Sequence, residues 1–104
     1  MKVKLIKLES TERYQRLFGK DSGTSGMKAG HVILKPGEDI GEHSTGGREE
    51  AIIILKGKGE AIVGRKESLY IEKDMALYIP PETAHNIKNT GPGIFEYIFI
   101  TSPI

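Results

Sequence analysis

Glycine or proline interrupts every apolar stretch of this chain, and that punctuation limits the fold more than any other feature of the sequence. With 13 glycines and 5 prolines in 104 residues, no window is left for the long amphipathic helices of a bundle. A three-helix reading fails for that reason. What remains is a series of short apolar or alternating segments separated by turn residues, the pattern of an all-β sandwich or barrel.

The segments can be named. Lys2 to Leu8 alternates polar and apolar residues and reads as a strand with one wet face. Ser10 or Thr11 would cap a short helix through Leu17, with Glu12 in its first turn. Gly19 to Gly26 is a Gly/Ser/Thr/Asp loop, read as mobile. Strands are then expected at His31–Lys35, Ala51–Leu55, Glu60–Val63, Ser68–Glu72, Ala76–Ile79, Ala84–Ile87 and Ile94–Ile100. Each ends at a turn signal such as Pro36-Gly37, Gly57-Lys58-Gly59 or Pro80-Pro81. Ala51 to Leu55 is apolar throughout, so both of its faces are expected to be covered, the outer one by a partner.

A chain of 104 residues suits one domain, expected to span residues 1–104. Net charge is +1, and no Lys/Arg cluster with interleaved aromatics points to nucleic acid. No signal peptide or membrane-length apolar run is visible, so a cytoplasmic location without membrane contact is the default expectation. Cysteine is absent, which excludes disulfides, thiolate zinc sites and cysteine nucleophiles together. A metal site would have to use His, Asp, Glu or water, a donor set that suits Mn, Fe, Ni, Cu or Zn.

His43, Glu49, Glu50 and His85 are the informative residues. His43 and Glu50 flank a turn that feeds the apolar strand, and His85 follows the Pro80-Pro81 turn. Across an antiparallel barrel such residues can face one another, and two imidazoles with a carboxylate can hold a first-row metal with open positions. Strand alternation allows only one of Glu49 and Glu50 to point inward. The other reading of Glu50 is a carboxylate paired with Arg48 or Lys56. Arg48 is either solvated or reaches over the pocket mouth to a substrate carboxylate or phosphate. His31 is read as structural. Tyr78, Phe95, Tyr97 and Phe99 are read as core or interface residues, one or two of them lining the pocket. The loop from Ser22 to Gly26 lacks the Gly-Lys-Ser/Thr ending of a phosphate loop.

Two stretches resemble the motifs of the cupin superfamily. Gly37, five residues, His43, Thr45, Glu50, six residues, Gly57 is similar to the first motif, at about residues 37–57. Asp74, five residues, Pro80, Glu82, two residues, His85, three residues, Asn89 is similar to the second, at about residues 74–89. The resemblance covers about Met27 to Thr101, leaving residues 1–26 as an N-terminal arm. It implies a double-stranded β-helix, or jelly-roll barrel, with His43, Glu50 and His85 as ligands of a divalent transition metal. The second histidine of the first motif is Thr45 here, and the two glycines of the second are Asp74 and Glu82. A threonine hydroxyl is a poor metal ligand at neutral pH, so water would complete the sphere. The spacing to Gly57 favours Glu50 over Glu49 as the inward carboxylate.

With that resemblance three functions are open, the last of them a purely structural or partner-binding dimer whose lumen is filled by aromatic side chains. The first is a metal-dependent enzyme acting on a small polar substrate such as a sugar or organic acid, by isomerisation or epimerisation, decarboxylation or oxygen-dependent cleavage. Tyr78 and Glu49 are then candidates to move the proton, and Arg48, Thr45 and Tyr78 to contact substrate. The second is a module that binds such a ligand without turnover, with or without metal. Similar small cupins are commonly homodimers, packed sheet to sheet and sometimes exchanging an N-terminal strand, for which Lys2 to Leu8 would serve.

Overall fold

The computed structural model describes residues 2–9 and 11–104. Among the described residues nine strands follow in order: β1 (Tyr14–Phe18), β2 (Lys28–Leu34), β3 (His43–Ser44), β4 (Arg48–Lys56), β5 (Lys58–Val63), β6 (Glu67–Glu72), β7 (Ala76–Ile79), β8 (Ala84–Lys88) and β9 (Phe95–Pro103). They form two antiparallel sheets, one ordered β1-β2-β9-β4-β7 and the other β3-β8-β5-β6. The all-β, jelly-roll architecture expected from the sequence is the one observed.

Alternation along each strand decides which residues meet between the sheets. From the larger sheet Val32, Leu34, Ile52, Ile54, Ile79, Phe95 and Tyr97 point inward, and from the smaller Ala61, Ile71 and Ile87, making one continuous core. The core fills one end of the barrel. At the other end the inward positions turn polar, with Arg48 and Glu50 on β4, Thr101 on β9 and His85 on β8. That change of character within the same strands leaves a polar cavity above a packed floor.

Two turns hold the smaller sheet against the larger. Gly57 sits at φ 82°, and a Cβ there would lie 2.2 Å from the Ile94 carbonyl oxygen, so only glycine lets β4 turn into β5 against β9. Asn89 is buried beneath the turn before β9. Its amide donates to the Leu34 and Gly93 carbonyls, both at 2.9 Å, and its Oδ1 accepts from Gly91 N–H at 2.9 Å.

Two sequence expectations need correction. The helix through Leu17 does not form. Residues 11–13 bend and Tyr14–Phe18 is a strand paired with β2. A capping signal contributes only about 1 kcal/mol, less than a ladder along a whole strand edge and the stacking of Tyr14 on Phe99. Ser10, the alternative cap, lies outside the described residues. Lys2 to Leu8 forms no strand within the chain; the Gln15 side chain tethers the arm by donating to the Lys7 carbonyl and accepting from Glu9 N–H. The loop from Gly19 to Gly26 contains a 3-10 turn, Lys20–Ser22. Within the chain Ala51–Leu55 buries its inner face, with Ile52 and Ile54 in the core, and Ile53 on the outer face, where a partner is expected, is 38% exposed.

Candidate metal centre

His43 and His85 are direct cross-strand partners on β3 and β8. Alternation turns both rings toward the barrel axis, where they meet edge to face with centroids 4.3 Å apart. Glu50 comes from the opposite sheet, where it pairs with Ile79 on one side and Thr101 on the other. The ligand atoms of His43, Glu50 and His85 all lie within 4.8 Å of one another. Three side chains distant in sequence therefore converge on one point between the sheets. Glu50 pairs with neither Arg48 nor Lys56; its carboxylate lies 3.4 Å from His85 Nε2.

The hydrogen bonds prepare the two imidazoles for a cation. His43 Nδ1 lies 3.1 Å from the Gly41 carbonyl and His85 Nδ1 lies 3.0 Å from the Thr83 carbonyl. A carbonyl only accepts, so each Nδ1 carries its proton, and in the neutral ring Nε2 is the nitrogen left with a free lone pair. His85 Nε2 is buried without a hydrogen-bond partner. A buried polar atom left unsatisfied is costly, and here a positive charge would satisfy it. Burial pushes the His85 imidazole toward its neutral form, but the Glu50 carboxylate and the Thr83 carbonyl outweigh burial, so its pKa stands above the ordinary histidine value.

Thr45 stands near this point, but its hydroxyl stitches the loop. It donates to the Pro80 carbonyl at 2.7 Å and accepts from Thr83 N–H at 3.0 Å. Where the family's second motif has glycines, Asp74 and Glu82 adopt positive φ of 73° and 54°. The backbone of that motif is therefore kept although its glycines are not.

The cavity measures about 310 Å³ and is lined by Tyr14, Lys28, Val32, Ile40, His43, Ser44, Thr45, Arg48, Glu50, Tyr97, Phe99 and Thr101. Arg48 is on its wall, with Nε donating to Thr101 Oγ1 at 3.0 Å and a second nitrogen donating to the Gly26 carbonyl. Tyr97 faces the cavity, and burial with the nearby Glu50 charge holds its phenol far above the ordinary range, so it is protonated at neutral pH.

Two sequence candidates are not brought to the site. Tyr78 and Glu49 hydrogen-bond to each other at 2.8 Å on the outer face of the larger sheet, and neither lines the cavity. Alternation is the reason: once Glu50 points inward, Glu49 points outward, and Tyr78 pairs with the outward Ala51. Neither residue is therefore placed to move a proton in this cavity or to contact a ligand there. His31 is also on the outer face, buried and 2.7 Å from Glu96, the structural role expected of it. Sequence reasoning missed Lys28, Tyr14 and Thr101 as wall residues. They lie on strands without a motif, and only the strand register shows their place.

A family model described as "Cupin domain" matches residues 30–101. The chain belongs to the cupin family. Among solved structures it is similar to an RmlC-like cupin with a double-stranded β-helix fold from Methanocaldococcus jannaschii, at 20% identity and TM-score 0.84, covering 99% of this chain and 93% of that one. It is also similar to a predicted oxalate decarboxylase from Thermotoga maritima, at 22% identity and TM-score 0.81, covering 88% and 79%. At these identities the likeness shows the fold alone. Polyketide synthase CurC of Streptomyces cyaneus is 32% identical over 86 residues, 83% of this cupin and 53% of that protein. The tetracenomycin polyketide synthase protein TcmJ of Streptomyces glaucescens is 31% identical over 81 residues, 78% of this chain and 53% of that one. The chain thus spans about half the length of these two curated relatives. Among the described residues no helix is long and apolar enough to cross a membrane.

Proposed function

We propose that this cupin binds a divalent transition metal through His43, Glu50 and His85 and uses it on a small oxygen-bearing organic substrate. The observation that carries this reading is the bare, buried Nε2 of His85, aimed at a carboxylate and a second imidazole within 4.8 Å. The donor set, two imidazoles and a carboxylate without thiolate, suits Mn, Fe, Ni, Cu or Zn. When bound, such a cation acts as a Lewis acid on a carbonyl or carboxylate oxygen. The chain's own residues supply the rest. Tyr97 offers a protonated hydroxyl on the cavity wall, and Arg48 offers a fixed positive charge. Two relatives are named for polyketide synthesis, a chemistry of carbonyl groups, and the cavity would offer such oxygens a cation beside aromatic walls.

A second reading, a binding module without turnover, is favoured by one observation: the Thr45 hydroxyl is spent on the loop rather than offered to the centre. Elemental analysis of protein purified without chelators separates the two. One equivalent of a transition metal, lost in His43→Ala and His85→Ala, supports the metal enzyme. Folded protein that takes up none of the five metals refutes it.

The same protein is read as a homodimer. The outer face of the larger sheet sets Ile53 beside Ile98 and Ala51 beside Ile100, and Ile53 is 38% exposed. In the N-terminal arm Val3 and Leu5 are 100% and 98% exposed. A second copy would cover both. Light scattering that gives a monomer mass at micromolar concentration refutes this.

A further inference from the structure

The larger sheet carries a rung of polar residues across the cavity wall. Lys28 on β2 pairs with Thr101 on β9, and Thr101 pairs in turn with Glu50 on β4. All three line the same cavity, so they share one face. Lys28 is therefore two strands from the metal ligand Glu50, a backbone separation of about 10 Å at ordinary strand spacing.

Lys28 is an exposed cation without an answering charge. Arg16 is paired with Asp21, and the remaining ion pairs among the described residues involve neither Lys28 nor Arg48. Lys28 and Arg48 also line the adjoining cleft, so they stand where the cavity opens outward. Arg48 is held in place by Thr101 and the Gly26 carbonyl, whereas Lys28 keeps a flexible stem. A divalent cation with a single carboxylate ligand retains positive charge. With Lys28 and Arg48 added, the cavity favours an anion.

The wall beside Lys28 is flat and aromatic. Tyr14 and Phe99 stack with centroids 6.1 Å apart and planes 13° apart. Gly30 makes room for them: a Cβ there would stand 2.4 Å from the Phe99 ring and 2.7 Å from Tyr14. Such a surface can receive a planar ring face to face.

We infer that the ligand of this cavity is a planar carboxylate, with oxygen donors at the His43–Glu50–His85 end and its carboxylate on Lys28. This rests on the metal reading above and adds the substrate class and the residue that selects it. Lys28 is then a specificity-determining residue.

The test uses nickel-loaded full-length protein and two probes measured by titration calorimetry. Benzohydroxamic acid carries the chelating group alone, and 4-carboxybenzohydroxamic acid adds a carboxylate at the far end of the ring. The carboxylated probe is expected to bind roughly tenfold tighter, the worth of one charge-assisted hydrogen bond. Lys28→Met should erase that preference and Lys28→Arg restore it, while Lys20→Met, nearby on the surface, leaves it intact. If the protein takes up nickel but shows no preference, or keeps it in Lys28→Met, the inference fails and the metal reading stands. Equal losses in Lys20→Met and Lys28→Met indicate a diffuse field and also overturn it. If wild-type protein takes up none of Mn, Fe, Ni, Cu and Zn, the metal reading fails and this inference with it; if it takes up one of the others and not nickel, the same titrations on that form decide.

Discussion

Replacing His85 with glutamine should leave the metal-free protein almost as stable as before while abolishing its response to metal. The magnitude follows from the hydrogen bonds. The substitution removes the bond from Nδ1 to the Thr83 carbonyl, worth about 1 kcal/mol. That carbonyl does not become an orphan, because it also accepts from Thr45 N–H at 3.2 Å. Against the loss, Nε2 is unsatisfied in the wild type, and leaving such an atom buried costs roughly 1–3 kcal/mol. A glutamine amide can donate to the facing Glu50 carboxylate, a gain offset by about 1 kcal/mol or more of side-chain ordering. The balance lies within about 1 kcal/mol of zero, whereas breaking a satisfied buried histidine would cost several times that.

Metal linkage supplies the second half. A metal at a hundredfold excess over its dissociation constant stabilises the native state by about 2.7 kcal/mol. For a chain of 104 residues, an unfolding entropy of about 2.1 cal/mol/K per residue converts this to a rise in Tm of about 12 °C. Calorimetric scans in chelator and then in nickel read both quantities. In His85→Gln the scan in chelator should match wild type within a few degrees, and nickel should add nothing. A loss beyond about 2 kcal/mol in chelator would mean that Nε2 already has a partner. A nickel shift of wild-type size in the variant would mean that the metal sits elsewhere. Either result refutes the reasoning.

Three further outcomes are expected. Gly57→Ala should lose at least about 3 kcal/mol in urea unfolding, because the left-handed backbone costs roughly 1–2 kcal/mol and the new Cβ meets the Ile94 carbonyl at 2.2 Å; a loss below about 1 kcal/mol would contradict this. Asn89→Ala should lose about 2–4 kcal/mol, since it strips the Leu34 carbonyl of a buried donor, yet metal stoichiometry of the folded protein should not change; a fall in stoichiometry would place Asn89 in the metal site. Glu82→Gly should raise stability by about 0.5–1 kcal/mol, relief of a φ of 54° exceeding the entropy lost with glycine. Asp74→Gly should gain less, because aspartate tolerates such turns; the opposite order in thermal scans would show that Glu82 makes a compensating contact.

The His43–Glu50–His85 cluster was legible because its spacing matches the two cupin motifs. The six residues between Glu50 and Gly57 match the first cupin motif and single out Glu50, and alternation along β4 then sends Glu49 to the outer face. The same parity argument applies to Tyr78, but only once its partner is known, and the pairing of Tyr78 with the outward Ala51 is a tertiary fact. The β1 segment was hidden for a related reason. Ser10, Thr11 and Glu12 carry a local helix-start signal, and what overrides it is an open edge of β2, which no local reading contains. Lys2 to Leu8 shows the converse. Its alternation is a sound strand signal, but among the described residues it pairs with no strand edge; the Gln15 side chain bonds its backbone, and Val3 and Leu5 stay bare.

Thr45 and Lys28 mark what substitution does to a site of this kind. The sequence showed a ligand missing at position 45; the structure shows that its replacement is bonded to the Pro80 carbonyl and Thr83 N–H, on the loop that carries His85. An imidazole at position 45 would have to give up both bonds, so restoring the family's histidine there would disturb the turn that aims His85. The open side of the centre is thus part of the local fold, and any ligand that fills it must come from solvent or substrate. That places the burden of recognition on the opposite wall, where Lys28, Arg48 and the Tyr14–Phe99 stack stand without a motif to announce them. Chemistry carried by spacing is readable in one dimension, but selectivity carried by register across neighbouring strands becomes readable only when the strands are paired.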